Sequence, residues 1–297
     1  MKENLVLSTT FKFLIILTLG GCGHFFYAPN KVKYGDPKEF GINYNSGFFS
    51  SEDGTPLHYW HLKNKKSTPP KALVVHFHGN GMNLTNHFPS LAWLTEHDVD
   101  VLIWDYRGYG RSAGIPDHKA VYKDALSALE FSFKLKEKIG AKKIIAFGQS
   151  LGGMVLARSL VDFRLKSKID LIVLDSTFSS YRQMAFSKMK ESWLLTPFSP
   201  LAFVLFDDKF ASKNTMHLFP NVKTLVMHGP NDKVVPYKFG EEIFKVLKSP
   251  KCFWAIEKVG HIEVFHGIAR PYRKPFLKMI ENPDDITACN NPLAEHT

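Results

Sequence analysis

Cysteine is scarce: the chain of 297 residues has three, Cys22, Cys252 and Cys289. No two lie close enough for a CxxC pair, so neither a structural zinc nor any other metal or organic cofactor is expected. A long hydrophobic run is also missing. The apolar stretch Phe13–Leu19 near the N-terminus is too short to span a bilayer comfortably. No basic helix interleaved with aromatics occurs, and no zinc-finger or RNA-binding motif. The excess of 38 Lys and Arg over 28 Asp and Glu is therefore read as a basic surface facing a membrane, not nucleic acid. Internal repeats and low-complexity segments are absent as well. What remains is ordinary globular material, 44% hydrophobic and 22% charged, enough to bury a substantial core in one domain.

Residues 1–22 read as an address. Lys2 and Lys12 precede the apolar run, and Leu19-Gly20-Gly21-Cys22 follows at once. Those four residues resemble a bacterial lipobox. The resemblance implies cleavage before Cys22 and acylation of its sulfur. Gly23 in the next position favours outer-membrane sorting. The chain is thus expected to be an exported, membrane-anchored lipoprotein, periplasm-facing or at the outer membrane. Several acyl chains hold stably, at about 0.8 kcal/mol per buried methylene. The alternative is an ordinary secretory signal or a short membrane anchor with an incidental cysteine. Residues 23–44, with Pro29 and Pro37, read as a tether. Cys252 reads as a buried apolar residue on a strand and Cys289 as part of a loose tail, unpaired.

Residues 45–281 read as one α/β domain. Asp53-Gly54 between two aromatic-rich runs is a hairpin signal. Apolar, β-branched runs follow at 72–77, 99–104, 143–147, 170–174, 224–227 and 252–256, each fit for a strand covered on both faces. Helical patterns over 120–138, 151–163 and 239–247 separate several of them. That alternation predicts a mostly parallel sheet with helices on both faces and the hairpin at one edge. Residues 182–219 break the rhythm: they carry a Met, Phe, Trp and Leu series from Met184 to Phe206, together with Pro197 and Pro200, and read as a small inserted cap of short helices. The series is read either as a cap packed on the domain or as an acyl-binding surface. Residues 282–297 read as a flexible tail.

Gly148-Gln149-Ser150-Leu151-Gly152 sits directly after a predicted strand and before a predicted helix. A serine at the tip of such a turn is held in strained backbone with its hydroxyl exposed, and flanking glycines make room. The Leu151 N–H faces the place where an oxyanion forms, aided by the helix N-terminus. Serine needs a base within reach. Asp232, after the strand at 224–227, and His261, after the strand at 252–256, supply an acid and a base in the chain order that this turn motif uses. Asp175 is kept as an alternative acid and His266 as a rival histidine. Ser150 as a mere helix cap is the bland alternative. Asp105, Arg107 and Arg111 are read as braces of a glycine-rich loop, and His76 as a core residue.

Four blocks carry a closer resemblance: His78-Gly79-Asn80-Gly81, Asp105–Gly114, Gly148–Gly153 and His228–Pro236. Together they are similar to the α/β-hydrolase superfamily, in the small-cap branch of protein depalmitoylases and serine-aminopeptidase-like hydrolases, over residues 48–280. The resemblance implies the α/β-hydrolase fold, with the backbone N–H of Asn80 as second oxyanion donor. The expected function is a serine hydrolase acting on a carboxylic ester or thioester through an acyl-enzyme. The expected partners are an acyl substrate and, through Cys22, a membrane. One alternative is an aminopeptidase-like amidase, with Glu191, Asp207 or Asp208 binding the substrate amine. The other is a non-catalytic binding protein on the same fold.

Overall fold

The computed structural model describes residues 26–66, 68–285 and 289. The apolar runs become strands: β1 Tyr44–Ser50, β2 Pro56–Leu62, β3 Ala72–Phe77, β4 Val99–Trp104, β5 Lys143–Gln149, β6 Leu171–Asp175, β7 Thr224–His228 and β8 Lys251–Ala255. They form one sheet in the order β1-β2-β4-β3-β5-β6-β7-β8. The pairs β1–β2 and β2–β4 are antiparallel and all others parallel. Gly54, at φ 83°, makes the tight turn of the edge hairpin.

Every residue of β3, β4, β6 and β7 is buried. Helices on both faces account for that. The main helices are α1 His118–Ile139, α2 Leu151–Asp162, α3 Tyr181–Lys190, α4 Lys238–Val246 and α5 Arg273–Glu281. Along β5, Ile144 and Ala146 enter the core beneath α1, α2 and α4. Their neighbours Ile145 and Phe147 enter the opposite core, beneath α5. Strand period two thus feeds two cores from one sheet. Asp117 caps α1 by accepting from the Ala120 N–H at 2.9 Å, and Gly140, at φ 69°, ends it. Between β6 and β7 lie α3, a 3-10 turn at Thr196–Leu201, a helical turn at Ala202–Leu205 and a 3-10 turn at Lys213–Leu218.

Two expectations change. The stretch read as a tether is packed on the domain from Phe26 onward. Tyr27 is buried, and its hydroxyl lies 3.1 Å from Tyr181 Oη and 3.2 Å from His118 Nδ1. The Ala28 N–H donates to Asn80 Oδ1 at 2.9 Å. An aromatic ring with a polar tip gains from such a half-polar niche, and that outweighs the freedom expected of a linker. Cys252 and Cys289 are not separate thiols: they form a disulfide, with Cα atoms 5.0 Å apart. Cys252 lies on the edge strand β8, where the returning C-terminal segment reaches it. The signal segment with Cys22 lies outside the described residues, as does most of the tail. No helix among the described residues is long and apolar enough to cross a membrane.

Candidate active site

Gln149, Asp175, Met227 and Trp254 are aligned partners across β5 to β8. These strands run the same way, so the loops that leave them share one sheet edge. Ser150 is the first residue off β5, at φ 52° and ψ −121°. A non-glycine residue there is strained. Two bonds hold it: its N–H donates to Asp175 O at 2.9 Å, and its carbonyl accepts from Thr177 Oγ1 at 2.6 Å. A Cβ at Gly152 would collide with the carbonyl oxygens of Phe77 and His78, and one at Gly148 would lie 2.6 Å from Gly153 Cα. Glycine is needed at both positions for close approach. The Ser150 side chain does not cap α2. Leu151, the first residue of α2, has an N–H with no intrahelical acceptor.

A buried polar layer lies next to Ser150. His76 Nε2 lies 2.7 Å from Gln149 Oε1, and Gln149 Nε2 donates to Asp175 Oδ2 at 2.9 Å. Ser176 Oγ donates to Asp175 Oδ1 at 3.0 Å and accepts from the Ile262 N–H at 3.4 Å. The loop carrying His261 is thereby tied to the end of β6. Burial raises the Asp175 pKa, with Gln149 and Ser176 opposing it. Asp175 makes no hydrogen bond to His261 among the described residues.

Asp232 does. Its Oδ2 lies 2.8 Å from His261 Nδ1 and 3.3 Å from His228 Nε2. Its Oδ1 accepts from the N–H groups of Val234 and Val235 at 2.8 and 2.9 Å. Burial alone pushes this carboxyl up. Hydrogen bonds from His228, His261 and the Val235 backbone outweigh it and hold the group well below the usual carboxylate range. Oδ2 fixes the imidazole while Oδ1 fixes the turn. His266 lies outside this pair. Among the described residues the Ser150 hydroxyl makes no hydrogen bond to His261; such contacts are often loose before substrate binds.

Asn80 follows Gly79 at the end of β3. A Cβ at Gly79 would meet Ser150 Cβ and His87 Cε1 at 3.5 Å each, so this loop runs against the elbow, the strand-to-helix turn that carries Ser150. The Asn80 side-chain amide is engaged at both ends. Its Oδ1 accepts from Ala28 N–H, Gly81 N–H and Tyr109 Oη, and its Nδ2 donates to Phe26 O at 2.6 Å. That leaves the Asn80 backbone as its contribution to a site. His87, stacked on His78, is pushed down to about 3 by burial and by neighbouring His78, so it stays neutral. Arg107 braces its loop through Asp124 at 2.6 Å and Asp53 at 2.9 Å. Asp105 accepts from the Leu84 N–H at 2.7 Å, and Arg111 sits over the Phe48 ring.

The roles of the Asn80 side chain and of His87 and His228 escape the sequence. An Asn after His-Gly and a His opening His-Gly-Pro-Asn-Asp are visible there, but nothing local says what they touch.

A family model described as serine aminopeptidase, S33, matches residues 68–218. The uncharacterised protein YfhR of Salmonella typhi is 30% identical over 268 residues, covering 86% of this chain and 87% of that protein. The chain belongs to the serine aminopeptidase, S33 family of α/β-hydrolases. The lysophosphatidylserine lipase ABHD12 of Danio rerio is 26% identical to this hydrolase, over 77% of it and 65% of that protein. The esterase Pf2001 of Pyrococcus furiosus shares the fold at a TM-score of 0.69 and 19% identity, covering 86% of the hydrolase and 97% of the esterase. The family model ends before Asp232 and His261.

Proposed function

We propose that this hydrolase cleaves acyl esters or thioesters, with Ser150 as nucleophile, His261 as base and Asp232 as its orienting acid. The carrying observation is the 2.8 Å contact between Asp232 Oδ2 and His261 Nδ1, at the sheet edge where Ser150 stands on its strained turn. Held by Asp232, His261 keeps its proton on Nδ1 and offers Nε2 to the serine. Ser150 Oγ attacks the substrate carbonyl as its proton passes to His261. The N–H groups of Leu151 and Asn80 stabilise the oxyanion. The tetrahedral intermediate collapses, the leaving group departs with the proton from His261, and an acyl-Ser150 ester remains. Water, deprotonated by His261, then releases the acid and restores Ser150. The low Asp232 carboxyl keeps a negative charge beside the imidazolium throughout.

Peptidase action requires an acid for the substrate amine. Glu191 is paired with Lys188 at 2.9 Å, and Asp208 accepts from Ser180 Oγ at 2.7 Å and from the Arg182 N–H. Of the three candidates, this leaves Asp207, whose Oδ1 accepts, among the described residues, from the nearby Lys209 N–H. The lipase and esterase names among the relatives favour acyl esters over that reading. We further propose export and lipidation at Cys22. The Cys252–Cys289 disulfide supports an oxidising compartment.

A panel of p-nitrophenyl acyl esters, acyl thioesters and aminoacyl anilides tests the substrate class. Ester or thioester turnover exceeding anilide turnover is expected. Preferential release of the N-terminal residue from anilides overturns it, and tight binding without turnover of any of them revives a binding protein.

A further inference from the structure

Residues 193–206, WLLTPFSPLAFVLF, form a run of fourteen residues without a charge, inside the insertion between β6 and β7. The fold does not bury it. Trp193 is 87% exposed, Val204 79%, Leu194 60% and Phe198 55%, with Leu201 and Phe203 exposed beside them. Ser199 and Ala202 point inward and seat the segment on the domain. Contiguous large apolar side chains in water mark an interaction face. Around them, residues 181–213 hold five basic and three acidic side chains, so the rim is positive. The whole chain carries a formal charge of +10. An apolar face with a basic rim complements an anionic lipid surface.

An independent observation concerns the other end of the chain. Phe26 packs edge-on against Phe206, with ring centroids 5.0 Å apart, and against Tyr181 at 4.9 Å. Phe206 closes the uncharged run. Cys22 lies four residues before Phe26, and four extended residues reach at most about 14 Å. A lipid attached at Cys22 therefore enters its membrane beside the insertion, not on the far side of the domain.

We propose that the face built from residues 193–204 docks on the surface of a lipid bilayer containing anionic phospholipid. The insertion leaves β6 at the sheet edge that carries Ser150, so docking brings that edge toward a supply of acyl lipids. The second half of this statement rests on the hydrolase reading and on acylation of Cys22; the docking itself rests on the exposed face.

The chain carries its own probe. Of its five tryptophans, Trp60, Trp93, Trp104 and Trp254 are buried and Trp193 is not. Full-length protein is reconstituted with vesicles of three parts phosphatidylcholine to one part phosphatidylglycerol, with and without brominated acyl chains. A blue-shifted Trp193 emission is expected, quenched by the brominated lipid and shielded from iodide. Trp193→Phe removes that signal. The double variant Leu194→Glu, Val204→Glu in the full chain carrying Cys22→Ser weakens vesicle binding by roughly tenfold relative to Cys22→Ser alone. Two results overturn the proposal: Trp193 open to iodide on vesicle-bound protein, or Trp193 already shielded without lipid in a species that sediments as a dimer. Ser150→Ala leaves the quenching unchanged while abolishing ester turnover, so a failure of the catalytic reading shows elsewhere.

Discussion

Asp175 ends β6 and Asp232 follows the neighbouring β7 at the same sheet edge, and the fold treats them in opposite ways. Asp175 is fully buried, and its carboxylate partners are a neutral amide and a hydroxyl. Burial dominates and raises its pKa. Asp232 is buried too, yet two imidazoles and two backbone N–H groups surround it. There the donors win over burial, and the carboxyl stays ionised. What donates to a carboxylate decides its job more than how deep it lies. One ties the end of β6 to Gln149, beside Ser150; the other is a carboxylate held against the His261 ring.

The sharpest way to break this contrast is to neutralise each acid in turn. Asp232→Asn should lower kcat/KM for an acyl ester by on the order of 10⁴, because the imidazole loses its tautomer and its counter-charge. Asp175→Asn should cost far less, since an amide can still bond Gln149 and Ser176. Steady-state hydrolysis of both variants, with folding checked by circular dichroism, ranks them; the reverse order would make Asp175 the acid.

Stability sharpens the same contrast. Asp175→Ala strands the Gln149 amide in a dry site and should cost about 1–3 kcal/mol in urea unfolding. Asp175→Asn should recover most of that loss. If alanine and asparagine are equally tolerated, the polar layer is not holding the elbow.

The pH dependence of unfolding separates the two by sign. A carboxyl with a depressed folded pKa adds stability above its unfolded value, about 3.9, and loses it as pH falls through the folded value. That is Asp232, so the gap between wild type and Asp232→Asn should close as pH drops below about 4. A raised folded pKa does the reverse: its contribution is full below about 3.9 and is lost as pH rises through the folded value. Asp175→Asn should therefore gain on wild type as pH climbs above about 4. Denaturant midpoints across pH 3 to 7 read both trends, and parallel curves would erase the distinction. The smallest effect belongs to His266→Gln. That histidine touches neither Asp232 nor Ser150 in the bonds described, and ester turnover should stay within assay scatter.

Strand placement was legible because burial on both faces leaves an unbroken apolar run, as in Val99–Trp104. The elbow was legible because a serine between glycines after such a run has few structural uses. Asp232 and His261 were legible through their order after β7 and β8. Other features left no local mark. Tyr27 packs against His118 and Tyr181, 91 and 154 residues away, and such long-range contacts leave no periodicity in a short proline-bounded stretch. The Cys252–Cys289 pair spans 37 residues, and its partners lie on a strand and in a stretch without pattern. The opposite character of Asp175 and Asp232 was likewise hidden, because it is set by side chains arriving from other loops.

The central claim is that Ser150 forms the covalent bond to substrate. A fluorophosphonate probe tests it most directly, with the modified peptide mapped by mass spectrometry. A single adduct on Ser150 in the wild type, absent from folded Ser150→Ala and much slower in Asp232→Asn, is the expected result. Stoichiometric labelling that persists in Ser150→Ala, or that maps to another residue of the wild type, contradicts it.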